Sequence, residues 1–287
     1  MAGSLNELLE LLDLDELSPD RFRGQSPKTR LQRTFGGQVA GQALMAAGRT
    51  VAPDRGVHSL HAYFLRPGLP ATPIDYEVER VREGRSFNTR RVLASQGDRV
   101  IFVMSANFQI AETGFEHQDP MPVAPQPESI PTMADRAVAD PTGWGALWKE
   151  WAAIDVRPVG DVGFGVVPGV AHPAHSQVWL RAAGSLPDNA LLHACVFTYA
   201  SDMTLLGAAV SPHARDFSKV QMASLDHAMW FHRPFRADEW MLHDQVSPSA
   251  SGGRGLAAGR LFTRDGVLVA SVMQEGVVRP LSTQTTP

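Results

Sequence analysis

The sequence predicts an α+β protein assembled from two copies of one unit, each a helix followed by about four antiparallel strands. Three observations carry this reading. A helix rich in small residues (35–49) precedes a run of strand-like segments, and the same order recurs from residue 189 onward. The segment from Ser59 to Pro67, SLHAYFLRP, is echoed by the segment from Ser224 to Pro234, SLDHAMWFHRP, if short insertions are allowed. Landmarks also keep a nearly constant offset: Arg66 and Arg233, and the turn residues Asp98 and Asp265, lie 167 residues apart, and Arg85 and Arg254 lie 169 apart. Self-similarity at one offset is the mark of a duplicated structural unit. A sheet left open at its edge gains cover by pairing with its twin, so the expected arrangement is two antiparallel sheets, each wrapping a central helix, joined edge to edge. The expected limits are 1–111 for the first unit, 112–172 for a proline-rich linker with a short helical segment, and 173–287 for the second.

In chain order, residues 5–17 carry Leu5, Leu8, Leu9 and Leu12 at helical spacing, which predicts an amphipathic helix packed on the body. In residues 35–49, Val39, Ala43, Ala46 and Ala47 share a helical face, and the small residues around them let that helix lie close to a surface. Residues 57–65 read as a strand ended by Pro67-Gly68, residues 74–81 alternate, and residues 86–95 and 99–110 flank a Gly97-Asp98 hairpin turn. Pro120, Pro122, Pro125, Pro127 and Pro131 then exclude helix and central strand. Trp144, Trp148 and Trp151 are expected to anchor a short helix. Beyond residue 177 come a strand and a helix begun at Pro187-Asp188-Asn189, with Leu192, Val196, Tyr199, Met203 and Leu206 at spacings of four and three. Strands at 223–231, 240–246, 255–263 and 267–277 follow, the last two flanking Asp265-Gly266.

Bulk properties narrow the function. A net charge of −4 with scattered basic residues argues against a nucleic-acid footprint. Cys195 is the only cysteine, which excludes an intrachain disulfide and a cysteine metal cluster. No apolar run approaches the ~20 residues of a membrane span, no secretory signal is evident, and the chain ends Thr285-Thr286-Pro287 rather than in a peroxisomal address. A cytoplasmic location follows as the expectation.

The residues are more specific than the pattern. A small-residue helix wrapped by an antiparallel sheet, repeated in tandem, resembles the double hot-dog fold. Gly36-Gly37-Gln38-Val39-Ala40-Gly41-Gln42, the stretch from His58 to Gly68, the stretch from Ser224 to Phe235, and Asp265-Gly266-Val267-Leu268-Val269-Ala270-Ser271 with Gln274-Glu275-Gly276 resemble the acyl-CoA thioesterase II family. The resemblance covers nearly the whole chain outside the proline-rich middle. It implies hydrolysis of acyl-CoA without a covalent nucleophile or cofactor, the attacking water being held by an Asp, a Ser or Thr, and a Gln. These match Asp202, Ser224 and Gln274; Ser224 stands where some members carry Thr.

Elementary chemistry agrees with those roles. A partly buried carboxylate can take the water's proton, a hydroxyl and an amide can orient the same water, and backbone N–H groups near a helix N-terminus can receive the developing oxyanion. Taken singly, each residue also has an ordinary structural explanation: a helix-end carboxylate, a turn serine, a strand-edge glutamine. Arg85, Arg90, Arg91 and Arg254, near strand starts, are candidates for the CoA phosphates, although exposed arginines are usually only surface charge. A homo-oligomer is expected, because fused sheets still leave surface for pairing.

Other features carry less. Cys195 sits in an apolar helix and reads as packing. His58 with His61 would face opposite ways on a strand, and His172 with His175 flanks Pro173, so no metal site is expected. Gly163-Phe164-Gly165 with Gly169 lacks the dinucleotide spacing, and no G-x-S-x-G elbow occurs. Two rival functions stay open. One is a hot-dog enoyl-CoA hydratase using Asp226 and His227, whose adjacency on a strand places them on opposite faces. The other is a non-catalytic acyl-CoA-binding scaffold. The first repeat offers only Asn107 and Gln109 near the position of Gln274, without an acidic partner, so at most one active centre per chain is expected.

Overall fold

The computed structural model describes residues 1–137, 148–160, 173–213 and 219–281. The first repeat comprises α1 (Leu5–Leu12), β1 (Asp15–Ser18), β2 (Arg21–Gly24), α2 (Gly36–Gly48), β3 (Arg55–Phe64), β4 (Ile74–Glu83), β5 (Phe87–Gln96) and β6 (Arg99–Ile110). After α3 (Met133–Ala137), the second comprises β7 (Ile154–Pro158), β8 (His175–Ala182), α4 (Ala190–Ser201), α5 (Gly207–Val210), β9 (Val220–Ser224), β10 (Asp226–Phe231), β11 (Met241–Ser251), β12 (Arg254–Thr263) and β13 (Leu268–Pro280).

All the strands among the described residues form one sheet in the order β1-β2-β4-β5-β6-β3-β10-β13-β12-β11-β8-β7, with β9 pairing beside β10 on β13. The second half reads as the first reversed about the β3–β10 seam. That seam is antiparallel, with Asp226 opposite Tyr63 and Trp230 opposite Ser59. Each repeat thus removes the other's open edge, as the edge argument requires. Two antiparallel layers around central helices, continuous as one sheet, make the double hot-dog architecture.

The two central helices pack on each other. Along α2, a Cβ at Gly37 would collide with the Tyr199 carbonyl oxygen, one at Gly41 would lie 3.1 Å from the Cys195 carbonyl oxygen, and one at Gly48 would strike Leu191. The partners descend in number as the glycines ascend, so α2 and α4 run antiparallel. Their small residues serve helix–helix approach, whereas sequence reading assigned close approach to a surface. The consequence is functional: the N-terminus of α2 abuts the C-terminus of α4.

Several boundaries differ from expectation. The first helix stops at Leu12 and gives way to β1 and β2. The helix expected to reach Leu206 ends at Ser201, with Asp202 as its C-cap. The single strand expected over 223–231 is broken at Leu225 into β9 and β10. The span 112–172, read as a linker, supplies β7, which pairs with β8 at the sheet edge. Its proline-rich part lies across the outer face of the second half. There Trp179 donates from Nε1 to the Pro125 carbonyl oxygen at 2.9 Å, and Gln118 bonds both Gly266 and Leu268. Ile130, Trp179, Trp240, Leu242 and Phe262 form a small apolar cluster under it. Trp148 and Trp151 are buried, with ring centroids 5.2 Å apart, while Trp144, His172 and Gly163 to Gly169 lie outside the described residues.

Candidate active site

Where α4 ends, Asp202 meets three hydrogen-bond donors brought from distant parts of the chain. The backbone N–H of Gly37, in the first turn of α2, donates to Asp202 Oδ2 at 2.8 Å. Ser224 Oγ donates to Asp202 Oδ1 at 3.1 Å. Gln274 Nε2 donates to the same oxygen at 2.5 Å and to Ser224 Oγ at 2.9 Å. The network is self-consistent: the serine hydroxyl accepts from the amide and donates to the carboxylate. Gln274 is fully buried, and its Oε1 has no hydrogen-bond partner among the described residues.

Local structure explains these placements. Between the pairs Ser224–Gly276 and Ala228–Met273 the β9–β10 side has one residue more than β13, so Leu225 marks a bulge. A bulge re-aims the side chain beside it, here Ser224 toward Asp202. Gly36 keeps the approach open, because a Cβ there would lie 2.7 Å from Asp202 Oδ2. Burial raises the Asp202 pKa from 3.8 to about 6, against the opposing pull of Gln274, Ser224 and the Gly37 amide. Such a carboxylate is ionised at neutral pH yet basic enough to accept a proton.

A cavity of about 430 Å³ opens on this cluster. Asp202, Ser224 and Gly36 form part of its wall, with Val39, Phe64, Phe102, Trp148, Trp151 and Leu206 as apolar lining. Arg33 and Arg66 are the cationic residues of the lining. Arg33 carried no sequence signal and Arg66 stood out only as a landmark of the repeat, because their place at the cavity is set by where the loops after β2 and β3 carry them. The Gly36-Gly37 pair was noted in sequence, but the amide's role needed α4 in place.

The four arginines read as CoA candidates do not line the cavity. Arg90 is the clearest correction. It is fully buried, donating from Nε to Thr50 Oγ1 at 2.7 Å and from Nη2 to the Thr50 carbonyl oxygen at 2.9 Å, with an ion pair to Glu83. Arg91 faces Glu79 at 3.8 Å on the first-half sheet, and Arg85 sits beside Gly84 in the β4–β5 turn, its carbonyl accepting from Arg55. Arg254 pairs with Glu275 at 2.9 Å.

Strand register shows what became of the equivalent place in the first repeat. Ala257 pairs with Gln274 in the second half as Arg90 pairs with Ala106 in the first. Gly276 pairs with Ser224 as Phe108 pairs with Val57. Ala106 and Val57 therefore stand where Gln274 and Ser224 stand, and the Arg90 side chain fills the space up to Thr50 beyond the end of α2. Asn107, the nearer candidate in sequence, accepts instead from Thr89 Oγ1 at 2.7 Å.

Asp226 and His227 do not form a dyad. Asp226 Oδ1 accepts from the Glu275 amide at 2.6 Å, whereas the buried His227 ring lies 2.9 Å from Ser201 Oγ, and neither borders the cavity. Burial lowers the His227 pKa to about 4, so the ring is neutral at pH 7. Cys195 is fully buried, which pushes its thiol far up and leaves no thiolate nucleophile. Among the described residues no cluster of His, Cys, Asp or Glu is placed to hold a metal ion, and no helix is long and apolar enough to cross a membrane.

Comparison with known proteins shows the family. Residues 157–277 match the acyl-CoA thioesterase family model, and residues 25–109 match that of the acyl-CoA thioesterase N-terminal domain. Acyl-coenzyme A thioesterase 8 of Homo sapiens is 40% identical, over 96% of this chain and 91% of its own. Acyl-CoA thioesterase 2 of Haemophilus influenzae is 37% identical, over 97% of this chain and 99% of its own. The crystal structure of acyl-CoA thioesterase II TesB2 from Mycobacterium marinum superposes with a TM-score of 0.81 at 49% identity, covering 95% of this chain and 98% of that one. A hot-dog protein from Alicyclobacillus acidocaldarius shares the fold at 21% identity, with a TM-score of 0.76. By sequence over nearly its whole length and by fold, the chain belongs to the acyl-CoA thioesterase family.

Proposed function

We propose that the chain hydrolyses acyl-CoA thioesters by direct attack of a water held between Asp202, Ser224 and Gln274. The observation that carries this reading is a raised carboxylate and a hydroxyl side by side on the wall of an apolar cavity, both held by one buried amide. The water gives a proton to Asp202 as its oxygen bonds to the thioester carbon. Negative charge gathers on the carbonyl oxygen, next to the N-terminus of α2, whose dipole and free amides favour it. When the tetrahedral intermediate collapses the C–S bond breaks, the proton on Asp202 goes to the departing sulfur, and a carboxylic acid and CoA thiol leave.

The acyl chain takes the apolar depth of the cavity, where each buried CH₂ is worth about 0.8 kcal/mol. Arg66 is exposed and Arg33 half-buried, so they mark the mouth and are the groups we assign to the CoA phosphates. Arg254, one of the candidates read from sequence, pairs with Glu275 and does not line the cavity. A cytoplasmic, homo-oligomeric enzyme remains our reading of the sequence.

The test is free-thiol release from an acyl-CoA series, with Gln274→Ala and Arg33→Ala/Arg66→Ala beside wild type. Gln274→Ala should lower kcat; the arginine pair should raise KM for CoA esters more than for short N-acetylcysteamine thioesters, and Arg254→Ala should leave KM in place. Binding of acyl-CoA with no thiol release by the wild type would replace this reading with the scaffold.

A further inference from the structure

We infer that Trp148 is the end wall of the acyl site and sets the longest chain the enzyme accepts; this rests on the thioesterase reading above. Two voids adjoin. The cavity at Asp202 and a smaller one of about 20 Å³ share Trp148, Thr204 and Gly207 as walls. The smaller void is enclosed further by Met133, Val156, Pro158 and Val178, which are apolar, and by Ser176, Ser211 and Gln245.

Exposure orders the main cavity from mouth to depth. Arg66 is exposed, whereas Trp148 and Trp151 are each 7% exposed and packed ring against ring. Chain connectivity points the same way, because Asp202, Met203, Thr204 and Gly207 lead along the wall from the reacting carboxylate to the partition. An acyl chain whose carbonyl sits at Asp202 therefore runs inward toward the Trp148 indole.

Gln245, Thr204 and Ser176 at the partition hydrogen-bond within their own group. Gln245 Nε2 donates to Thr204 Oγ1 at 2.6 Å and lies 2.9 Å from His243 Nδ1, and Ser176 Oγ donates to Gln245 Oε1 at 3.1 Å. Their dipoles are turned toward each other, which leaves the far void with apolar character suited to methylenes. Gly207 contributes no side chain to the shared wall, so the indole supplies most of its bulk.

The experiment measures kcat/KM over saturated acyl-CoAs of rising length for wild type, Trp148→Ala, Trp148→Phe and Gly207→Leu. Removing the indole should move the optimum to longer chains, each newly accommodated CH₂ raising kcat/KM about fourfold. Trp148→Phe should give a smaller shift in the same direction, and Gly207→Leu, which adds bulk to the partition, the opposite shift. Circular dichroism identifies the folded variants; if Trp148→Ala does not fold, the Phe and Leu variants carry the comparison with opposite expected signs. Folded variants that keep the wild-type ranking of chain lengths would overturn the assignment while leaving hydrolysis intact. Absence of hydrolysis by the wild type would instead strike at the thioesterase reading itself.

Discussion

Replacing Asp202 by Asn removes the one charge that the site holds against its own burial. The carboxyl titrates near 6 in the folded chain against 3.8 ordinarily, because desolvation outweighs three hydrogen bonds. The folded state therefore holds this proton more tightly than the unfolded state between pH ~4 and ~6, and stability falls as pH rises through that window. Two pKa units correspond to about 3 kcal/mol, absent below pH ~4 and fully expressed as a penalty above ~6. The asparagine side chain does not titrate. Its amide would be set against either the Gly37 N–H or the Ser224 and Gln274 donors, a cost that is the same at every pH. The difference in unfolding free energy between variant and wild type should thus grow in the variant's favour by about 3 kcal/mol from pH 4 to pH 7. Urea denaturation of both proteins at the two pH values reads it directly, the other carboxylates cancelling in the comparison. Activity should move the other way: kcat falls by about 10²–10⁴ in the variant, and wild-type kcat/KM declines tenfold per pH unit below about 6. Stability curves that stay parallel across pH, or an acid limb near pH 4, would refute the claim that burial raises this carboxyl.

Four further outcomes follow from the same geometry. Ser224→Ala removes a donor to Asp202, so kcat should fall about 10- to 100-fold, as expected for a hydrogen bond to a charged group, and the acid limb of the pH–rate profile should move upward. Gln274→Glu sets a second carboxyl against Asp202 Oδ1; both cannot ionise freely, so thiol release at pH 7 should collapse and recover only toward higher pH. Arg90→Ala empties the first repeat's sealed counterpart site and should cost about 3 kcal/mol in a denaturant titration, while kcat per folded molecule is unchanged. Gly37→Ala drives a methyl into the Tyr199 carbonyl oxygen; the two central helices must separate, lowering Tm and kcat together, where Gly41→Ala, with 3.1 Å available, should be milder in both.

What the sequence determined by itself is what local pattern and repetition encode. The hairpin turns at Gly97-Asp98 and Asp265-Gly266, the alternation in β4, and the near-constant offset between halves are properties of neighbours along the chain, and they specify a duplicated helix-and-sheet unit. That Asp202, Ser224 and Gln274 would lie together was legible only through a family resemblance, since nothing in their own surroundings separates them from a helix-end carboxylate, a turn serine and a strand glutamine. Tertiary structure decided the rest. Helix α4 ends at Ser201 although apolar spacing continues to Leu206, because Asp202 is drawn into hydrogen bonds with residues 165 positions before it and 72 after it. Arg90 has the sequence character of a surface arginine and lies in the core because Ala106 and Thr50 leave it room. Asn107 yields to Ala106 as the counterpart of Gln274 because pairing register, which turns every side chain over with a one-residue slip, is fixed by strands that meet only in the folded sheet. The pKa of Asp202 and the partition at Trp148 belong to the same class: each depends on which surfaces exclude water together, and that is settled only when the two repeats close around one core.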